Sequence, residues 1–301
     1  MKRSDFLRHV SWTGLGLLWS FDSRTGAFLS QRLGSAAAAL PTNLNFVQIS
    51  DTHIGFHKPA NEHVDVTLQA AIAAINALSV PPAFVIHTGD LTQLSKPAEF
   101  DQARQLLSTL KAPLLTLPGE HDVIGDRGKL YNEQFGSRDR REGLQSWDHS
   151  GVHCVSLTNV LDFGTTGQGQ IGAAQLELLA KDLTPLASDT PVVVFSHIPL
   201  FDVYPKWGWS TADARQAMNL LARFASVTVL SGHIHQVLQR AEGHIHFATA
   251  ASTAFPLPAP GSAERPDPVV LPEKQRRTAL GFRSIALATA KPVQLEEHPL
   301  S

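Results

Sequence analysis

Cysteine is almost missing from this 301-residue chain. Cys154 stands alone, which excludes an intramolecular disulfide and any cluster of thiolates around a metal. Charge is sparse as well. Asp, Glu, Lys and Arg make up 17% of the residues and nearly cancel, leaving a formal net charge of -2, so no basic patch argues for nucleic acid as a partner. No apolar run reaches the roughly 20 residues that cross a bilayer, and neither an internal repeat nor a second domain is visible. What is there is a 43% hydrophobic content, enough for one substantial core, and 14 histidines.

Residues 1–40 read as an export signal ahead of a single domain over 41–301. Lys2, Arg3 and Arg8 flank Phe6 and Leu7, a mostly apolar stretch runs from Val10 to Phe21, and Ser35 to Ala39 supply small residues for cleavage. The order of basic residues around Phe-Leu resembles a twin-arginine signal, although two residues rather than one separate Arg3 from Phe6. The expected location is the periplasm or the exterior. The competing reading is an amphipathic N-terminal helix that stays attached.

Beyond it, five short apolar runs each stop at carboxylates or histidines. Phe46 to Ser50 leads into Asp51 and His53, and Phe84 to Ile86 into Gly89-Asp90. Leu114 to Leu117 leads into Gly119-Glu120-His121-Asp122, Val192 to Phe195 into His197, and Val227 to Leu230 into Gly232-His233-Ile234-His235. Runs of this length ended by Gly or Pro read as buried strands, and ligand sites collect at the carboxyl ends of strands in α/β sheets. Helical spacing predicts helices over 64–78, 97–110 with Ser95 as cap, 172–186 and 211–224. Further strands are expected at 244–250, 282–288 and 292–295. Cys154 falls within a strand-like run, as a small core residue. Phe255 to Gln275, with six prolines, is the one long irregular stretch, a covering flap or a surface excursion.

The imidazoles and carboxylates at those five strand ends suit Zn, Fe, Mn or Ni and, with no thiolate, argue against a structural zinc. Two such ions can clamp the attacking and leaving oxygens of an in-line displacement and turn water into hydroxide near neutral pH. His233 and His235 are one residue apart, so both cannot share a strand face; Gly232 is expected to let the backbone turn between them.

The ordered set D-x-H, G-D, G-E-H-D, a single H and G-H-x-H over residues 51–235 resembles the calcineurin-like metallophosphoesterase superfamily. The resemblance implies a four-layer αββα sandwich of two mixed β-sheets flanked by helices, with a dinuclear site at the sheet edge. By position, Asp51, His53 and His235 would hold one ion, Asp90 would bridge, and Glu120, His197 and His233 would hold the other. His121 would be the catalytic histidine, a proton donor or phosphate-positioning group, with Asp122 orienting its ring. The implied activity is hydrolysis of phosphodiesters or phosphomonoesters by a metal-bridging hydroxide acting on a small-molecule substrate. A non-catalytic member of the same fold is the alternative. Glu120 departs from the family's usual Asn. With three anionic ligands, two divalent ions and a hydroxide the formal charges cancel, which points to an Fe(III)/divalent pair, a repositioned second ion, or a less anionic substrate. Gln93 stands where purple acid phosphatases carry a ligating tyrosine, which argues against a tyrosinate-bound iron.

Other polar residues have plainer readings. His57 and His63 read as solvated loop histidines, His244 and His246 as structural, and Arg138, Arg140 and Arg141 as a solvated face. His87 is open between a core histidine and one that orients a ligand. Tyr204, Trp207 and Trp209 are open between a substrate wall and local packing. If residues 1–40 are an export signal, native protein begins near Ala39 or Leu40 and is found outside the cytoplasm; N-terminal sequencing that returns Met1 sinks this assignment.

Overall fold

Val, Ile, Leu and Phe at successive positions cannot all face one core, so the short apolar runs must be strands covered on both faces. A computed structural model describes residues 17–22, 27–32, 44–137, 142–165, 167–288 and 292–300. Its strands in chain order are β1 (Leu17–Asp22), β2 (Ala27–Arg32), β3 (Leu44–Ile49), β4 (Val85–His87), β5 (Leu114–Thr116), β6 (Gln145–His149), β7 (Val152–Leu157), β8 (Asp162–Phe163), β9 (Gly169–Gln170), β10 (Val192–Ser196), β11 (Val227–Ser231), β12 (Gln239–Glu242), β13 (Ile245–Thr249), β14 (Gly281–Leu287) and β15 (Gln294–Pro299). The helices are α1 (Val64–Asn76), α2 (Pro97–Leu107), α3 (Lys129–Phe135), α4 (Ala173–Leu183), α5 (Ala214–Leu221) and α6 (Glu273–Ala279). The export signal expected over 1–40 lies outside the described residues except for the β1–β2 backbone hairpin, and Arg138, Arg140 and Arg141 lie outside them too.

Two mixed sheets carry the fold. One has the order β15-β14-β3-β4-β5, the other β12-β13-β11-β10-β7-β6. Strands β3, β4 and β5 run parallel in the first, as do β7, β10, β11 and β13 in the second. Side-chain alternation makes the layers. In β3, Phe46 packs between the sheets with Phe195 and Leu230, while Val47 and Ile49 face Leu68, Ile72 and Phe100 of α1 and α2. In β10, Val193 and Phe195 point inward and Val192 and Val194 meet Leu179 of α4 and Leu221 of α5. The result is the expected αββα sandwich, and Cys154 sits in its inner layer, where burial pushes the thiol up to about 12.

Some local expectations are corrected. Lys96, not Ser95, precedes α2; Ser95 adopts φ 53° and its hydroxyl donates to the His121 carbonyl at 2.7 Å. Helices α3 and α6 were not expected, being only seven residues each. Nor was the edge strand β12, whose half-exposed Gln239–Glu242 is polar in sequence.

Near the ligand-bearing rim the layer between the sheets turns polar. Arg283, fully buried, donates through Nε to Glu297 and through Nη2 to the Thr249 carbonyl of the opposite sheet at 2.7 Å. Gln48 spans the same gap, donating to Thr88 Oγ1 at 3.0 Å and to the Ser231 carbonyl at 3.2 Å. A buried charge is tolerable only while paired. Arg283→Met, which leaves the Glu297 carboxylate alone, is expected to destabilise the fold by about 3–5 kcal/mol, and adding Glu297→Met should recover most of the loss. Urea denaturation of both variants checks this; a single variant as stable as the parent removes the inter-sheet role of the pair.

Candidate metal centre

The five loops meet on one rim, and their backbone is unusual where they do. Asp51, His53, Asp90, His233 and His235 all have positive φ, between 41° and 69°, a region non-glycine residues seldom enter. Cross-links hold them there: the Asp51 amide donates to the Gly89 carbonyl, that of His53 to Asp90, and that of Gly232 to His197, each at 3.0 Å. Strain of this kind persists where surrounding structure over-determines it, typically at functional sites. The turn separating His233 from His235 is therefore made by the two histidines themselves, and the role expected of Gly232 is corrected. Gly232 is needed for close approach, since a Cβ there would lie 2.1 Å from Ser50 Oγ and 2.7 Å from Asp51 Oδ2. Gly119 is needed likewise, since its Cβ would fall 2.0 Å from Asp90 Oδ1.

The loops bring the seven expected ligands together as two trios linked through Asp90, with ligand atoms within 4.8 Å of one another inside each trio. Asp51, His53 and His235 form one, Glu120, His197 and His233 the other. Asp90 lies between them. Its Oδ1 accepts the His121 amide at 2.9 Å, which leaves Oδ2 almost equidistant from His53 Nε2, at 3.5 Å, and His197 Nε2, at 3.4 Å.

Tautomers decide what these approaches mean. His197 Nδ1 donates to the Thr88 carbonyl at 2.7 Å and His235 Nδ1 to that of Phe255 at 2.6 Å, so in the neutral rings each Nε2 bears a lone pair. His197 Nε2 lies 2.7 Å from Glu120 Oε2 with no aligned hydrogen bond for either atom. His233 Nδ1, 2.8 Å from Glu120 Oε1, is likewise buried without one, and His53 Nε2 and His235 Nε2 face each other at 3.1 Å. Lone pairs converging in a buried pocket repel unless a cation sits among them. The donor set therefore fits two metal ions. Burial opposes charge on His197, but Asp90 and Glu120 hold it well above its ordinary range, while burial lowers His53 to about 3.

Asp122 does something other than expected. Its oxygens accept the amides of Leu91, Thr92 and Gly119 at 2.8–3.0 Å and the Thr92 hydroxyl at 2.9 Å, stapling the loop of Asp90 to that of Glu120. The ring of His121 is held instead by the Gln93 carbonyl, 2.7 Å from Nδ1. Burial beside Asp90 pushes the Asp122 carboxyl up to about 7, against the pull of those donors. His87 resolves as a positioning residue: fully buried and lowered to about 4 by burial, it reaches Thr52 Oγ1 at 3.1 Å and accepts the Gly89 amide at 3.2 Å. Tyr204, Trp207 and Trp209 stack edge to face and pack in the core beside α1 and α2, with Trp207 Nε1 donating to the Glu264 carbonyl. Local packing accounts for them. His57 and His63 are exposed, as read. The start of the proline-rich stretch is neither flap nor excursion, because Phe255 packs on the rings of His53 and His235. Phe255 and the carbonyls of Thr88, Gln93 and Phe255 were missed in the sequence, since a backbone acceptor leaves no residue-type signal.

With this geometry established, similarity to known proteins can be set beside it. A profile described as calcineurin-like phosphoesterase matches residues 44–237. A "probable cyclic nucleotide phosphodiesterase" of Rhodopseudomonas palustris is 28% identical over 238 residues, covering 74% of this chain and 86% of its own length. A glycerophosphodiester phosphodiesterase of Enterobacter lignolyticus is 27% identical over 224 residues, covering 70% and 77%. In fold, the chain superposes on a dimetal phosphatase of Danio rerio with a TM-score of 0.62 at 13% identity, over 86% of this chain and 97% of that one.

Glu120 inserts its carboxylate between His197 and His233, so Glu120→Asn should preserve the fold and raise the formal charge of the site by one. Inorganic phosphate is then expected to bind on the order of tenfold tighter, and the metal content to shift away from trivalent ions, which gain most from carboxylate oxygen. Phosphate titration with elemental analysis checks both; no change in either removes Glu120 from the ligand set.

Proposed function

The chain belongs to the calcineurin-like phosphoesterase family, and on that premise we propose that it is an exported phosphodiesterase whose metal site is built from Asp51, His53, Asp90, Glu120, His197, His233 and His235. Metal-dependent phosphoester hydrolysis is the activity that the family and its relatives share. The finer reading, diesters rather than monoesters, is supported by relatives named for cyclic nucleotides and glycerophosphodiesters. Export is supported by the ordered basic, apolar and small-residue segments of residues 1–40. No helix among the described residues is long and apolar enough to cross a membrane. Iron, manganese or zinc, with a mixed Fe(III)/divalent pair among the options, suits the imidazole and carboxylate donors.

The observation that carries the reading is His197 Nε2 held 2.7 Å from Glu120 Oε2 with neither atom in an aligned hydrogen bond, while Nδ1 of the same ring is committed to the Thr88 carbonyl. Asp51, His53 and His235 would hold one ion, Glu120, His197 and His233 the other, and Asp90 Oδ2 is placed to serve both. Such ions, when bound, supply Lewis acidity, neutralising charge on phosphoryl oxygens and making water nucleophilic near neutral pH. The chain's own groups do the rest. The carbonyls of Thr88 and Phe255 fix which nitrogen of His197 and His235 is offered inward. The His121 amide pins Asp90 Oδ1 so that the other oxygen stays between the two sets. With Nδ1 donating to the Gln93 carbonyl, His121 carries a proton at Nε2 only as the imidazolium. Burial opposes that form, but Asp90 and Glu120 favour it, raising the ring above its ordinary range. From that form Nε2, on the far side of the ring, would give its proton to the departing alkoxide oxygen. His121 stands edge-on to His53, with ring centroids 4.8 Å apart, close enough to the ligands to meet a phosphate there.

Asp90→Ala is expected to lose both bound ions and all hydrolysis, because one carboxylate serves two sites. His121→Ala should keep its metals and lower turnover by roughly 10²- to 10⁴-fold. Elemental analysis beside hydrolysis of a chromogenic diester separates the two, and full metal content in the Asp90 variant refutes the bridge.

A further inference from the structure

One cleft, with a volume of about 370 Å³, adjoins the candidate centre and counts Glu120 and His121 among its lining. Its walls are apolar: Val123 and Ile124 from the segment after His121, and Val160, Leu161 and Phe163 from the segment after β7. Ile124 and Phe163 are 46% and 48% exposed, a cost in water that neither the core nor a neighbouring element repays. The one charged side chain at its mouth, Arg127, is paired with Asp162 at 3.1 Å on the open surface. Among the described residues the polar side chains that line the cleft are Glu120 and His121, which belong to the candidate centre, and Arg127, which is paired with Asp162, so the rest of the lining offers no hydrogen-bonding partner to the hydroxyls of a glycerol-like group.

We propose that this cleft is the subsite for an uncharged, aromatic arm of the phosphoester, so that the substrate class is an ester of an aryl-bearing alcohol rather than of a polyol. The proposal rests on the phosphoesterase reading above, because the arm enters the cleft only when its phosphorus lies at the ligand cluster. His121 stands where the two meet, facing the ligands on one side and the cleft on the other. An arm occupying the cleft therefore carries its ester oxygen past the group that protonates it. Branched and aromatic side chains suit an apolar, planar arm, and covering Ile124 and Phe163 supplies the apolar burial that the free protein lacks.

The test uses the metal-loaded protein and three non-reacting probes, inorganic phosphate, methylphosphonate and phenylphosphonate, whose affinities are measured by calorimetry. All three place the same anion at the ligand cluster and differ only in the arm. Burying one phenyl ring predicts phenylphosphonate roughly 10- to 100-fold tighter than methylphosphonate. In the double variant Ile124→Ser, Phe163→Ser that ratio should fall to about 2 or less, while methylphosphonate keeps its parental affinity. Both side chains are half exposed, so the melting temperature should stay near that of the parent and a folding defect would show there. A third variant, Leu161→Ala, should lower the same ratio partially if the double variant folds poorly. A ratio near one in the parent, or one that survives these substitutions, overturns the subsite. Binding of phosphate with no arm preference would leave the metal-centre reading standing while refuting the cleft; absence of binding by all three probes refutes the metal-centre reading itself.

Discussion

Everything at the rim of this sandwich answers to one electrostatic constraint: three carboxylates and four imidazoles converge in a pocket that is largely closed to water, with lone pairs aimed at common points. Such a cluster is stable only with positive charge among it. The costs incurred to build it are visible in the backbone. Five of the seven candidate ligands occupy left-handed conformations, and two glycines stand where any side chain would strike Asp90 or Asp51. Carbonyls of Thr88 and Phe255 hold the His197 and His235 protons away from the centre. None of these features is required by the sheets. They make sense only as the consequence of pointing seven donors inward.

The two sheets divide the work. Strands β3, β4 and β5 deliver Asp51, His53, Asp90, Glu120 and His121, whereas β10 and β11 deliver His197, His233 and His235. The centre therefore straddles the seam between sheets, and its geometry depends on how they are docked. That explains the polar layer directly beneath it. Gln48 and Arg283 bridge the seam with hydrogen bonds, and directional contacts fix the relative position of two sheets more narrowly than apolar packing alone, which tolerates sliding. His87 and Asp122 act at shorter range. One ties the Asp51 loop to the Asp90 loop, the other ties the Asp90 loop to Glu120, so neither needs to touch substrate to matter for the reaction.

The cleft beside His121 extends the same logic to the substrate. The charged chemistry is concentrated at Glu120 and His121, and the walls beside them are apolar, so recognition of phosphate and recognition of the attached group are separated in space. A carboxylate at 120 in place of an amide makes the charged end less attractive to anions. Apolar contact along the walls compensates by binding the part of the substrate that carries no charge.

That these candidate ligands would gather at strand ends was legible in the sequence because strand ends are marked by apolar runs, and metal donors can come only from a few residue types. The inner strands and four helices were legible for the same reason, as burial on one or both faces imposes a period of two or 3.6. The short helices α3 and α6 and the edge strand β12 were not, because their residues are half exposed and polar, and their form comes from neighbours rather than from pattern. The roles of Asp122, Gly232 and the Tyr204–Trp209 segment were decided only by the tertiary structure. An aspartate beside a histidine has the same identity whether it meets an imidazole or three backbone amides, and a glycine the same identity whether it turns the chain or clears space. The spelling of the site is local, but which atoms face each other depends on contacts made across nearly 200 residues of chain, where sequence spacing carries no information about direction.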